Sequence, residues 1–467
     1  MTDIRYVKVS DGYLAAKAGD AASRSGNKPL LLGMRLHLDL SQAANGWAPA
    51  RTMPDEDGNS KSGFVQLAQV SHQQQLKIFY MDVGQGDATL IEAEGGIVII
   101  DGGPNRGFHE ILTARLESLQ RADEDAGLQA RQIQFINAVI VTHFDKDHFY
   151  GLTRLFNDPA FEVGTLYHNG LPRYGFNTGK DLDLGDVINH RDGTRSIATD
   201  LTGFTSGQEM LDDNLLLTEN GNDNLFAKFL QAVIGARDAG RLGSMQRLYR
   251  RKTTGGADLI SGVGNDLQFE ILGPITTRTS GSVRLPAFPD PHDVSASNPN
   301  PRPSESHTVN GNSVVLRLRY KGKHFLFGGD LNQPAQKYLD ARYGATNPFR
   351  SDVNKACHHG SSDFDLAYLK SVAPDATVFS SGDDGSYDHP LPDAMGTAAR
   401  HSNGEFPLVF STELARDNKT SGGIKLGHIN ARSNGNEIVM AQKKERASTR
   451  DPWHKFPLPY PGPFGGH

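Results

Sequence analysis

Residues 135–148 read Phe-Ile-Asn-Ala-Val-Ile-Val-Thr-His-Phe-Asp-Lys-Asp-His. The first half is a nearly continuous apolar run, as expected of a strand covered on both faces. The second half, THFDKDH at 142–148, sets His143, Asp145, Asp147 and His148 in one short loop straight after that strand. Imidazole nitrogens and carboxylate oxygens are the side-chain ligands that hold a divalent metal where thiols are lacking. Alternating positions aim two ligands one way, and the adjacent Asp147–His148 pair can turn to a second centre. Two metals about 4 Å apart would share a water and clamp a phosphoryl or acyl group. The competing reading is a polar loop capping a helix.

Working outward, LKIFYMDV (76–83) is a strand, GQGD (84–87) a turn, and ATLIEAEGGIVIIDGG (88–103) a hairpin whose second strand reaches Asp101. Residues 108–130 are rich in Leu, Ala, Arg and Glu and read as a helix. Residues 155–300 have weak periodicity. They hold one helix around Asn224–Lys252 and a loop-like run with six prolines between Pro286 and Pro303. Regular structure returns with SVVLRLRYKGKHFLFGGD (313–330), a hairpin, then helices near 333–343 and 364–372 and the strand ATVFSSG. Three more candidate features follow strand-like segments: GGD with Asp330, CHHGSSD with His358 and His359, and YDHP with His389. The tail DPWHKFPLPYPGPFGGH is Pro/Gly-rich and expected to be extended. The first seventy residues read as short strands with Gly-marked turns.

Composition bounds the rest. The chain has 467 residues, 37% hydrophobic and 22% charged, enough for a sizeable core and about three domains by length. No run approaches eighteen consecutive apolar residues, and the start has no apolar signal-peptide core, so a cytoplasmic location without membrane insertion is expected. The single cysteine, Cys357, makes neither an internal disulfide nor a thiolate zinc finger. A net charge of −6 argues against a generally basic nucleic-acid coat, though not against a local basic groove. One such stretch, ARDAGRLGSMQRLYRRK, carries Arg247, Arg250, Arg251 and Lys252. On a helix some of these cations share a face for backbone phosphates, with Tyr249 to stack on a base, or they form a plain solvated face.

Together these motifs resemble the metallo-β-lactamase-fold hydrolases. MDVGQGDATLIE, VIIDGGP, THFDKDHFYG, NGNSVVLRLRYKGKHFLFGGDL, KACHHGSSD and SSGDDGSYDHP look like the C-terminal domain of the competence protein ComEC and its free-standing relatives. That protein's membrane channel has no counterpart here. Residues 4–70, through Gly46–Trp47 and Gly63, Phe64 and Val65, resemble a bacterial Src-homology-3-like domain, with a β extension of the main domain as the alternative.

The resemblance implies an α/β fold, a metallo-β-lactamase αββα sandwich with a small N-terminal β-barrel. The expected division is a barrel at 1–72, a hydrolase at 75–440 with an insert at about 155–305, and a tail at 441–467. His143, Asp145, Asp147 and His148 correspond to the metal loop, with Asp145 where most relatives have His. That extra carboxylate favours manganese or magnesium over zinc. Asp330 corresponds to the bridging carboxylate. His307 lies near a third-motif histidine, where the competence-type pattern has Asn, as in Asn310 or Asn312. With Ser313 these asparagines are candidate substrate contacts. His358 or His359 supplies a late ligand or a proton donor, and His389 is the other candidate. Asp147 is a base or a ligand. Asp101 orients the loop from behind, and Asp82 and Asp87 stand at the site's edge.

The implied function is a phosphodiesterase or nuclease on DNA or nucleotides with two divalent ions, Mn2+ or Zn2+, with Mg2+ also compatible. The alternatives are hydrolysis of small esters, lactones or cyclic nucleotides, and a non-enzymatic binding protein whose N-terminal module takes a protein partner. Oligomeric state stays open.

Overall fold

The computed structural model describes the chain apart from residues 1, 23–25, 55–59, 95, 131, 177, 254–257, 261–265, 278–281, 383–386, 413–428, 444–451 and 463–467. Two sheets face each other. The first has nine strands, in the order 242–247, 161–168, 134–140, 96–102, 88–93, 76–80, 429–433, 438–443 and 453–458. Its first four run parallel. The second has seven, in the order 258–259, 268–273, 315–320, 323–327, 353–355, 376–379 and 408–411. Its last four are also parallel.

Strand alternation builds the layers. Leu76, Ile78 and Tyr80 point inward, where Ile91, Ile140, Leu316, Phe325 and Val378 meet them between the sheets. Outer-face residues such as Ile99 and Val139 lie under Phe108, Leu112, Leu155, Phe226 and Phe229 from helices Gly107–Asp125, Leu152–Asn157 and Leu225–Asp238. Helices Gln333–Tyr343 and Leu366–Val372 cover the second sheet through Leu339, Tyr343, Tyr368 and Val372. The result is helix, sheet, sheet, helix. Among the described residues no helix is long and apolar enough to cross a membrane.

The N-terminal strands form a separate antiparallel sheet, ordered 62–66, 47–52, 35–39, 2–7 and 70–71, around Val7, Leu36, Leu38, Ala48 and Val65. It curls over the sandwich and is fastened to it. Arg35 pairs with Asp123, Ser10 Oγ donates to Glu437 at 2.8 Å, and Arg432 donates to the Leu32 carbonyl at 2.9 Å.

Three expectations need correction. The helix around Asn224–Lys252 ends at Asp238, where Gly240 (φ +70°) turns the chain into the strand Leu242–Arg247. Arg247, Arg250 and Arg251 therefore share no helical face. Residues 155–305 are not wholly an insert, since strands Phe161–His168, Leu242–Arg247 and Gln268–Gly273 belong to the two main sheets. The tail is not separate from the main domain: its extended segment Trp453–Leu458 pairs with Ile438–Lys443 as the outermost strand of the nine-stranded sheet, an edge position in which Pro457 is tolerated.

Candidate metal centre

The parallel strands of both sheets end along one rim, and the candidate residues stand there. In the loop after Gln134–Ile140, Phe144 and Phe149 turn down into the core. Phe144 lies 4.7 Å from Phe226, and Phe149 5.3 Å from Phe229, centroid to centroid. That aromatic anchor leaves His143, Asp145, Asp147 and His148 on the opposite side. Asp330 follows the strand Lys323–Phe327, and His358 and His359 follow Val353–Lys355. Both histidines hold left-handed backbone, φ +49° and +54°, a conformation that costs energy and is retained where surrounding structure enforces it.

His148 Nε2 lies 3.1 Å from Asp330 Oδ1. His359 Nε2 lies 3.2 Å from Asp330 Oδ2 and 3.3 Å from Asp147 Oδ2. His143 Nε2 faces Asp145 Oδ2 at 3.7 Å. Each imidazole is set from behind. His148 Nδ1 meets Asp101 Oδ2 at 2.9 Å, and His359 Nδ1 meets the Ser380 carbonyl at 2.9 Å. With those nitrogens donating, each Nε2 is the ring atom left facing the carboxylates, and in the neutral ring it is the one open to a cation. Asp101, left-handed at φ +57°, also accepts from Thr142 N at 2.8 Å and Thr142 Oγ1 at 2.7 Å. Asp87 binds the buried Lys355 and reaches His359 Nδ1 at 3.3 Å. Gly86 (φ +144°) closes the GQGD turn against the loop, because a Cβ there would stand 2.4 Å from the Asp147 carbonyl.

Ligand atoms of Asp87, His148, Asp330 and His359 lie within 4.8 Å of one another. The buried Asp87 Oδ1, His143 Nε2, His148 Nε2, Asp330 Oδ1 and His359 Nε2 take no hydrogen bond. Orphaned buried donors and acceptors converging on one point fit a cation that pairs with them all. Four carboxylates, Asp87, Asp101, Asp147 and Asp330, gather around these rings, and among the described residues Lys355 is the lysine ion-paired with them. Burial opposes protonation of His148, yet Asp330 and Asp101 hold the ring well above the usual histidine range. His359 is likewise raised against burial, by Asp330 and Asp87. Burial pushes the Asp145 carboxyl up to about 6, with Arg173 opposing.

The other candidates divide. His389 stands beside the cluster, its ring 6.0 Å from His358 and 6.3 Å from His359, and burial with those two imidazoles lowers its pKa to about 4. Asn310 Nδ2 is 3.4 Å from His358 Nε2. His307 turns away to Ser304 and Asp363, at 3.1 and 3.7 Å, as part of the first turn of helix Glu305–Gly311, so it is not brought to the cluster. Asn312 spends its amide on the Pro286 and Thr308 carbonyls. Ser313 Oγ lies between His143 Nδ1 (3.3 Å) and Asp330 N (3.1 Å), behind the ligands. Asp82 caps its own turn toward Gly84 N at 3.4 Å. Arg247 donates to Thr199 O and Oγ1 at 2.8 and 2.6 Å. Arg250 is buried against Asp258 at 3.2 Å, and Arg251 lies over the Tyr249 ring at 5.6 Å. The expected phosphate face is thus spent inside the protein for the first two.

Sequence reasoning left Lys355, Ser380 and Arg173 without a role. Lys355 stood inside the quoted KACHHGSSD motif and was the readable signal. Arg173 gave none: it reaches Asp145 at 3.8 Å, Asp183 at 3.2 Å and Glu305 at 2.9 Å from a distant loop.

Residues 81–209 match the family model of the metallo-beta-lactamase superfamily. The N-terminal sheet lies outside that match. A stretch of 103 residues is 34% identical to the competence protein ComA of Neisseria gonorrhoeae, covering 21% of this chain and 15% of that protein. The chain therefore spans a small part of that relative. YhfI of Bacillus subtilis, a metallo-beta-lactamase fold protein, overlays with a TM-score of 0.32 at 6% identity, over 73% of this chain and 97% of its own. A metallo hydrolase of the archaeon Ignicoccus hospitalis does so with 0.31 at 12%, over 73% and 97%. The layered fold with its loop at the sheet rim is the metallo-β-lactamase αββα sandwich.

Proposed function

We propose that this chain is a metal-dependent phosphodiesterase whose substrates are DNA or nucleotides. The observation that carries the reading is the convergence of orphaned Nε2 and Oδ atoms from His148, His359 and Asp330 at the rim shared by both sheets. His143, Asp145, Asp147, His148, Asp330 and His359 would hold the divalent metal, with Asp87 beside them. The carboxylate-rich set favours manganese, with zinc and magnesium as the other candidates. Bound there, such ions supply Lewis-acid polarisation of a phosphoryl oxygen and an acidified water.

The chain's own residues do the rest. Asp101 and the Ser380 carbonyl fix the ring tautomers. Lys355 keeps Asp87 ionised beside His359 despite burial. His389, at the edge of the cluster, would exchange a proton with a leaving oxygen. Asn310 offers its buried, unbonded Oδ1 beside His358 to a substrate group. The engagement of Arg247 and Arg250 inside the protein favours a nucleotide or an oligonucleotide end over a long duplex, and keeps small esters in view as a second reading.

The test is manganese-dependent hydrolysis on single-stranded DNA, duplex DNA, cyclic nucleotides and bis-p-nitrophenyl phosphate, with Asp147→Ala as the control. Cleavage of DNA or a nucleotide that disappears in the variant is expected. Full activity in Asp147→Ala, or inertness toward every phosphodiester with each metal, overturns the proposal.

A further inference from the structure

Away from the rim, a cleft of about 360 Å³ separates the N-terminal sheet from the outer face of the nine-stranded sheet. Met34, Arg35 and Met53 line one side, and Lys77, Phe79, Glu92, Arg115, Asn137 and Arg432 the other. The cleft includes Gly96 and Gln134, which start their strands, whereas the metal cluster lies at the strand ends near Asp101 and Thr142. At about 3.3 Å per residue the two are on the order of 15–20 Å apart. The cleft is therefore distinct from the hydrolytic site.

Its charges do not balance. Arg35, Lys77 and Arg432 are 6%, 7% and 7% exposed. Glu92 is shared between Lys77, at 2.6 Å, and Arg115. Asp123 is taken by Arg35. Arg432 donates to the Leu32 carbonyl at 2.9 Å and Asn430 Oδ1 at 3.2 Å, both neutral. Among the described residues no carboxylate pairs with it, and its Nε and the Nε of Arg35 are buried without a hydrogen bond. Arg115 and Arg432 lie over the Phe79 ring at 4.9 and 5.7 Å, which offsets part of the desolvation. Burial and Arg115 weigh against the Arg432 charge, and Glu92, already shared between Lys77 and Arg115, offsets only part of that. Buried cations in such excess call for an anion.

We propose that this cleft binds a small anion, phosphate or carboxylate, carried on a molecule whose apolar part rests on Phe79, Met34 and Met53. The anion accepts from Arg432 and Arg35 and neutralises the excess charge. It thereby ties the N-terminal sheet to the sandwich, so occupancy stabilises the fold.

The test is calorimetric titration of the full chain with inorganic phosphate, adenosine 5′-monophosphate and citrate at constant ionic strength, alongside thermal melts. Saturable binding of at least one probe with a rise in melting temperature is expected. A response to phosphate and the nucleotide alone assigns a phosphate site, and a response to citrate alone a carboxylate site. Arg432→Gln should weaken binding roughly tenfold or more while manganese-dependent hydrolysis is kept. Should Arg432→Gln fold poorly, Met34→Glu, which places a carboxylate in the cleft, should abolish the response while keeping or raising the melting temperature. Absence of saturable binding by all three probes, or binding unchanged in both variants, overturns the proposal.

Discussion

Asp101→Asn separates orientation of the metal centre from ligation. The substitution is isosteric, and asparagine tolerates the left-handed φ of +57° at this position. Oδ1 keeps its bond from Thr142 N at 2.8 Å. The amide nitrogen now stands where Oδ2 accepted from Thr142 Oγ1 and His148 Nδ1, at 2.7 and 2.9 Å. It cannot accept from either. The His148 ring satisfies the new donor by moving its proton to Nε2, which faces Asp330 Oδ1 at 3.1 Å. The lone pair that would meet a cation is then lost unless the tautomer is inverted at a cost. Replacing such a partner behind a metal-binding histidine weakens metal affinity about 10–100-fold, or roughly 1.4–2.8 kcal/mol. The assay is manganese affinity by competition with a chromophoric chelator, on protein whose folding is checked by circular dichroism. Activity should recover in part at high manganese. An Asp101→Asn protein that binds manganese within about twofold of wild type would refute the argument that Asp101 sets the tautomer.

Other perturbations follow from the same contacts. Gly86→Ala drives a Cβ toward the Asp147 carbonyl at 2.4 Å and should lower stability by about 2–4 kcal/mol, read as a shifted urea midpoint, with loss of hydrolysis. Lys355→Met leaves Asp87 buried without its cation and should cost about 3–5 kcal/mol in the same experiment; an unchanged midpoint would show that the pair contributes nothing. Arg250→Ala should lower stability, because it removes a buried side chain that packs and pairs with Asp258 at 3.2 Å, while Arg251→Ala should leave the midpoint unmoved. Glu92 is held below the usual carboxylate range by Arg115 and Lys77 despite burial. Its folded pKa lies below the unfolded value of about 4.3, so its stabilisation is present above that pH and fades as pH falls through it. The stability gap between wild type and Glu92→Gln should shrink from pH 6 toward pH 2, and a gap constant with pH would contradict this.

What was legible in the chain was local. The apolar strand and the dense THFDKDH loop point to a candidate metal site because its residues sit within a few positions of one another, hairpin 315–327 shows by its strand pattern, and helix 107–125 by its Leu, Ala, Arg and Glu content. What was not legible depends on approach across the fold. Asp87 and Lys355 are 268 residues apart and meet only because the two sheets end on one rim. Ser380 acts through a carbonyl, which carries no side-chain signature. Arg250 looked like a phosphate contact because cations cluster around it, yet the helix ends at Asp238 with Gly240 turning the chain, and Arg250 lies buried beside Asp258. The choice between Asn310 and Asn312 rests on which amide a nearby carbonyl claims, and Pro286 claims Asn312. The distinction has a physical consequence. His143, Asp145, Asp147 and His148 follow a strand of one sheet, with Asp101 behind them on the neighbouring strand, whereas Asp330 and His359 follow strands of the other. The loop residues can therefore be oriented before the sheets close, but the orphaned nitrogens and oxygens face one another only afterwards. A cation that binds the closed arrangement alone must stabilise the packing of the two sheets as well as the chemistry at their rim.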